Sequence, residues 1–347
     1  MKKNQWFKIG FQLAAIVLAL LFTTLVLLLA GAPPLQAYMN VLQGIFSSVD
    51  DITNVLAAWV PLLLATAGVL ITFAAGLWNI GIEGQIMLGA VFTTGALRML
   101  QNSSLSGGWI IVVGFIAGLI GGAIWGALAG VLKTFGGVNE IFGGLGLNFV
   151  ATAFALYLII GPWGRPGIAS TSGTLIFPTR LWLPTPLNVA LSPWALGLGI
   201  LAAIVVYFLL RGTYFGLRLK AVGKNVRAAF LLGVPTWQYS MYAFLLCGAL
   251  AGLAGAVQVT AVYHRLIPTI SSGYGFLGLL VAMLINYQAV WAAPIALFYA
   301  ALNIGGIQLP IMMKMDSSLS GVLQGILVLF VLMVEGARQQ LFEKKDR

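Results

Sequence analysis

The chain has 347 residues, 60% of them hydrophobic and only 7% charged, against about 25% charged in an ordinary soluble domain. So few charges cannot solvate a 36.8 kDa globule, and at about 20 apolar residues per membrane helix the length admits about ten spans with no separate soluble catalytic domain, which excludes most enzymes. The net charge of +10 would suggest nucleic acid in a soluble protein, but here it reports orientation through the positive-inside rule, and no nucleic acid polymer is expected as a partner.

After Lys2, Lys3 and Lys8, a charge-free run of 22 residues from Ile9 to Ala30 is long enough to cross a bilayer. It exceeds the core of a signal peptide and is read as an uncleaved anchor, although Ala30-Gly31-Ala32 resembles a cleavage site. Nine further apolar runs lie at 53–76, 84–99, 109–132, 139–161, 193–210, 239–261, 274–288, 290–309 and 318–337. The predicted fold is therefore an all-α polytopic membrane protein of about ten helices and one transmembrane domain over 1–347. Threading the runs alternately puts 13 of the 18 basic residues and both termini on the cytoplasmic side, and leaves Arg98, Arg165, Arg180, Arg265 and Lys314 at outer ends.

Two connections stand out. Residues 162–192 carry Pro162, Pro166, Pro178, Pro184 and Pro186, with Pro193 adjacent, and read as an ordered extracytoplasmic loop. Residues 211–238 hold Arg211, Arg218, Lys220, Lys224 and Arg227 with no acid, which fixes them as the largest cytoplasmic loop. In the fourth run Gly114, Gly118, Gly122, Gly126 and Gly130 recur every four residues on one helix face. Another backbone must approach there, within one bundle or at a subunit contact.

Polar residues inside apolar runs mark the candidate site. Asn79-Ile80-Gly81-Ile82-Glu83-Gly84-Gln85 places a carboxylate and two amides between two runs, where a charge costs about 3 kcal/mol at the bilayer centre. Two readings stand: a structural turn with a capped helix start, or a lining of a transport pathway. A second glycine-rich start, Ser271-Ser272-Gly273-Tyr274-Gly275, leads into the 274–288 run from the outer side. If spans 2–5 and 7–10 are inverted repeats, these interruptions correspond, which is where transporters build substrate sites; Tyr274 is then either a stacking surface for solute or a packing residue. Asn139 can cap the next helix with Glu140 in its first turn, and Asn148, two turns further in, needs an interhelical partner, water or solute. His264 beside Arg265 reads as a solvated loop residue, and a single histidine with a single cysteine, Cys247, argues against a polyhistidine metal site and excludes an internal disulfide.

In the cytoplasmic loop, Gly223-Lys224-Asn225-Val226-Arg227-Ala228-Ala229-Phe230-Leu231-Leu232-Gly233-Val234-Pro235 spells a short helix capped by Asn225 and stopped at Gly233. So short a helix needs something to pack against: a groove on a cytosolic partner, or its own bundle and the membrane surface. Gly223-Lys224 is followed by Asn225 and lacks the Walker A spacing, so the chain is expected to have no ATPase site of its own.

Leu77 to Gln85, Asn139-Glu140 with Leu147-Asn148, Gly273-Tyr274-Gly275-Phe276 and Gly321-Val322-Leu323-Gln324-Gly325 resemble the permease subunits of bacterial ABC importers in the branched-chain amino acid, ribose and nucleoside group, and are most similar to its nucleoside and simple-sugar branch. The resemblance implies a bacterial inner-membrane permease paired with a second permease, two copies of an ATP-binding subunit that holds ATP and Mg, and an extracytoplasmic solute-binding protein, often a lipoprotein. The substrate-pathway candidates are Asn79, Glu83, Gln85, Asn139, Glu140, Asn148 and Tyr274, and the resemblance makes Gly223, Asn225, Arg227, Ala228, Ala229 and Gly233 the coupling helix. Val226 and Arg227 replace the Pro-Glu pair typical of that loop, which weakens any specific charge contact there. The expected function is nucleoside import; the alternatives are ribose-like sugar import and an ion-coupled secondary transporter, with an intramembrane enzyme more distant because no catalytic pair is present.

Overall fold

The computed structural model describes residues 17, 18, 20–29, 31–165, 172–186, 189–285, 288–313, 325, 326, 329, 330 and 333. Every long regular element among them is helical. In chain order the helices are α1 (Leu20–Leu29), α2 (Pro34–Phe46), α3 (Val49–Ala74), α4 (Ile82–Leu100), α5 (Gly107–Thr134), α6 (Glu140–Ile160), α7 (Pro193–Gly212), α8 (Tyr214–Lys224), α9 (Val226–Leu231), α10 (Thr236–Val257), α11 (Tyr274–Leu284) and α12 (Ala292–Met313). The α10 helix runs on as a π turn over Gln258–Val262.

The chain forms two compact units, residues 1–55 with 300–347, and residues 56–299. In the first, α1 and α2 meet at 112° across a break that contains Pro33, and the hydroxyls of Thr24 and Tyr38 are 2.9 Å apart. Gly305 packs on the Val41 backbone in the same unit.

Glycine decides the core of the second unit. The predicted stripe on α5 faces other backbones of the same bundle: a methyl group at Gly122 would collide with the Gly248 carbonyl, and one at Gly126 with the Phe244 carbonyl. Gly89 of α4 meets Gly252 of α10, so α4, α5 and α10 approach to glycine contact on three sides. Without a hydrophobic drive in lipid, such van der Waals contact is what holds helices together. The contacts also give relative direction. Gly122 pairs with Gly248 and Gly252, Gly126 with Phe244 and Gly248, so α5 and α10 are antiparallel; Gly118 joins Thr93 to Ala256 and Gly89 meets Gly252, so α4 and α10 are parallel. Those senses follow the alternation expected from charge.

By length and composition six helices among the described residues can cross a membrane: Val49–Ala74, Gly107–Thr134, Glu140–Ile160, Pro193–Gly212, Thr236–Val262 and Ala289–Ile307; the bent α1–α2 pair would make a seventh. The ten expected spans differ from this for identifiable reasons. The 84–99 run is the nineteen-residue α4, but Glu83, Gln85 and Arg98 interrupt its apolar composition. The 274–288 run yields only eleven helical residues in α11, about 16 Å, half of what a hydrocarbon core requires. The 318–337 run, Gly321 to Gln324 and Lys314 lie outside or almost wholly outside the described residues.

The expected ordered loop is present over residues 172–186. Its backbone N–H groups at Thr174, Phe177 and Leu183 donate to the carbonyls of Leu266, His264 and Thr260, which lays the loop along the end of α10. Here His264 departs from the solvated reading. Its ring stacks on Trp182 at 3.7 Å with 8° between planes, and Nδ1 lies 3.1 Å from the Thr260 carbonyl. Arg98 in turn sits 5.6 Å over the Trp163 ring, and the Arg180 guanidinium donates to the Gln101 carbonyl.

Gly122→Val should cost about 3 kcal/mol by overpacking the α5–α10 seam, read as a lowered melting temperature of purified protein. Burial holds the His264 imidazole below its ordinary value of 6.5, so the undocked loop binds the proton more tightly and docking is lost as pH falls from about 6.5 through the lower docked value. Hydrogen exchange at the Phe177 and Leu183 amides, corrected for intrinsic rate, should accelerate between pH 7.5 and 5.5, about these values, and His264→Phe should abolish that change.

Candidate functional site

The α3 helix stops where Gly76 turns left-handed at φ 71°. The N–H groups of Gly76 and Leu77 return to the carbonyls of Phe73 and Thr72 at 2.9 Å, a Schellman closure that glycine permits. The chain then runs without helix to Gly81 before α4 begins, and its polar residues turn on one another. Asn79 Nδ2 donates to Gln85 Oε1 at 3.0 Å and Gln85 Nε2 donates to Asn79 Oδ1 at 3.1 Å, a reciprocal amide pair. Both side chains are sealed, at 1% and 0% exposure. Asn79 Nδ2 also points to Cys247 Sγ on α10 at 3.1 Å.

Asn148 closes the next part of the break. Its Oδ1 accepts from the Gly84 N–H at 2.7 Å and its Nδ2 donates to the Ile80 carbonyl at 2.9 Å, so one α6 amide satisfies a donor and an acceptor that the broken helix leaves open. Gly81 lies on Gly144, and a methyl group at Gly84 would press into Trp125, Asn148 and Ala151. Asn148 is eight residues, about 12 Å along the axis, into α6, which places the start of α4 level with the third turn of α6. Glu83 reaches the other way. Its Oε1 accepts from the Phe276 N–H at 2.9 Å, so the acid sits at the positive end of α11, with Ser271 beside it. The α11 start is shaped by two left-handed residues, Ser272 at φ 50° and Gly273 at φ 73°.

Asn79, Glu83, Gln85 and Asn148 thus converge on one buried knot where the starts of α4 and α11 meet. Tyr274 belongs to the same junction but its side chain is buried and offers no open stacking face. Asn139 and Glu140 lie apart: Asn139 Oδ1 caps α6 through the Ile141 N–H at 2.9 Å, and Glu140 pairs with Lys133 at 2.5 Å. The knot can bind two helix starts together and hold a carboxylate away from lipid; it contains no nucleophile activated by a base.

The basic loop forms a second site. Asn225 Oδ1 accepts from the Ala228 N–H at 3.0 Å and starts α9. Gly223 lies so close to Ala74 and Gly76 that no side chain would fit, and Ala229, 2% exposed, faces inward. Ala228 and Arg227 are exposed, Gly233 ends the segment at φ 79°, and Phe230, Leu231 and Leu232 project together, Leu231 at 84% exposure. Sequence reasoning missed Cys247, Ser271 and Gln258 as partners of the knot and its surroundings. An isolated amide in an apolar run was the available signal for Gln258, and the Ser271-Ser272-Gly273 start was the signal for Ser271; nothing local marks Cys247.

Apolar helices packed through glycine, two helix starts buried inside the bundle and an apolar helix displayed on a basic loop are the construction of a membrane permease component. The chain belongs to the family described as branched-chain amino acid transport system / permease component, which it matches over residues 51–332. It is similar to the glucose ABC transporter permease protein TsgB13 of Haloferax volcanii, at 29% identity over 95% of this chain and 88% of that one. It is also similar to two guanosine ABC transporter permease proteins of Bacillus subtilis: NupP, at 27% identity over 92% of this chain and 91% of that one, and NupQ, at 25% over 79% and 86%.

Gln85→Leu should destabilise the protein by about 2 kcal/mol because the buried Asn79 amide loses its partner. Asn79→Leu with Gln85→Leu should cost less than the two single changes together, a coupling that a double-mutant cycle on thermal unfolding would measure.

Proposed function

We propose that the chain is the permease subunit of an ATP-driven ABC importer for nucleosides. It spans the inner membrane of a bacterium with about ten helices and both termini cytoplasmic, as one transmembrane domain with 162–192 outside and 211–238 inside. It pairs with a second permease and two ATP-binding subunits, which hold ATP and Mg, and receives solute from an extracytoplasmic binding lipoprotein. The observation that carries this reading is the display of Phe230, Leu231 and Leu232 on a helix anchored by Gly223 and Ala229. Burying an exposed leucine on association is worth about 2 kcal/mol, and a cluster of three such side chains on a basic loop suits a groove on a cytosolic partner. Two guanosine permeases of one organism among the relatives support a pair of unlike permeases.

Meeting of the α4 and α11 starts supports inverted repeats over spans 2–5 and 7–10, since interrupted helices at the repeat interface are where such transporters hold solute. In this reading ATP-driven closure of the partner subunits moves α9, and the bundles rock to open the cavity to either side. Simple-sugar import is the second reading, favoured by the identity to a glucose permease. Ion-coupled transport draws no support from these relatives.

Uptake of labelled guanosine by cells expressing the chain with its partner subunits, challenged with unlabelled adenosine, glucose or ribose, tests the solute class. Competition by adenosine alone supports nucleoside import; competition by a sugar alone moves the assignment to sugars. Leu231→Asp should cut co-purification of the ATP-binding subunit and uptake by about tenfold or more while membrane insertion stays unchanged. Ala229→Glu is the poorer probe, because Ala229 is packed inside and the variant would damage the loop itself.

A further inference from the structure

The α10 helix does not end regularly. Its last turn widens into a π turn over Gln258–Val262, a distortion that often accompanies functional sites, and it presents Gln258 to the segment leading into α11. Gln258 Nε2 donates to the Ile270 carbonyl at 3.1 Å and to Ser272 Oγ at 3.2 Å. A carbonyl can only accept, so the amide orientation is fixed and Oε1 points away from Ile270. At 1% exposure, Gln258 Oε1 has no hydrogen-bond partner among the described residues.

A second polar atom shares this condition. Thr94 Oγ1 on α4 is buried and unpartnered, whereas Thr66, Thr152 and Thr260 each return their hydroxyl to the carbonyl four residues back. The parallel α4 and α10 helices touch at Ala90 and Gly255. Thr94 and Gln258 lie about one turn further along the same two faces, so both unpartnered groups fall at one level of one seam. Above them Tyr263 OH and Ser272 Oγ are 3.1 Å apart and half-buried, and Ser271, next in the chain, lies beside Glu83.

We propose that Thr94, Gln258, Ser272 and Tyr263 form a recognition subsite for the hydroxyl groups of an uncharged polyhydroxylated solute, between the π turn of α10 and the left-handed start of α11. The subsite deepens the import reading and rests on it. A buried acceptor without a partner costs free energy in an apolar bundle, and native proteins keep few of them. Here a solute hydroxyl supplies the missing donor to Gln258 Oε1 and uses the free Thr94 hydroxyl, while Ser272 and Tyr263 meet it first from the more exposed side. Absence of any fixed charge among the four side chains selects neutral solutes, and the short reach between the two helices selects hydroxyls over bulky groups.

Thr94→Val is the informative variant because Thr94 Oγ1 has no protein partner to lose, and Gln258→Met is a second change of similar volume. The assembled transporter would be assayed with guanosine and with glucose, each beside its monodeoxy analogues, and its melting temperature measured. The expected result is about a fivefold rise in half-saturation concentration for the hydroxylated solute in each variant, the size of one lost hydrogen bond, with maximal rate and Thr94→Val melting temperature unchanged. The deoxy analogue lacking the recognised hydroxyl should not distinguish Thr94→Val from wild type. Wild-type half-saturation in both variants, or a rise equal for every analogue, overturns the subsite alone. Failure of the wild-type complex to take up either solute overturns the import reading and the subsite with it.

Discussion

A helix that stops inside an apolar bundle must find a partner for every backbone group it releases, because no water is there to take its place. The break at residues 75–81 meets this demand partly within itself and partly through its neighbours. Gly76 folds the end of α3 back on itself, Asn148 answers the Ile80 carbonyl and the Gly84 N–H, and Asn79 and Gln85 answer each other. Each partner comes from a different place in the chain, so α3, α4, α6 and α10 are fixed around this point together. Glu83 extends the same logic to α11, whose Phe276 N–H donates to its carboxylate.

Such a knot is possible only if the helices come close. The stripe from Gly114 to Gly130, with Gly89, Gly248 and Gly252, removes side chains where α4, α5 and α10 cross. Close approach then puts side chains as short as asparagine within hydrogen-bond reach of a neighbouring backbone. Larger residues at these glycines would push α4, α5 and α10 apart and strain the same buried amide contacts, which turns a modest packing fault into unsatisfied polar groups.

Much of this was legible in the sequence where the signal was local. Spacing of the α5 glycines specified a packing face, Asn139 and Asn225 announced helix caps, and the proline-rich stretch announced an ordered loop. What was not legible depended on distant partners. Cys247 accepts from Asn79 across 168 positions, and Trp182 stacks on His264 from a separate loop, pairings that no periodicity encodes. Hydropathy also overstated α11. The expected run reaches residue 288, but the helix stops at Leu284, just before the amides of Asn286 and Gln288 begin to interrupt the apolar composition.

The break links the two sites by a short path of one backbone contact and a few residues of chain. Gly223, at the end of α8, rests directly on Gly76, and Asn225, two residues on, begins the exposed α9. In the other direction Gly76 is seven residues from Glu83, which holds the α11 start. In the proposed import cycle a partner that displaced the basic loop would push on the first residues of the break, which hold Asn79 at Cys247 and lead on to Glu83 at the Phe276 N–H. Packed interiors yield by moving whole elements and not by stretching. The glycine contact at Gly76 and Gly223 is where the basic loop meets the break, and its lack of side chains makes that contact direct from backbone to backbone.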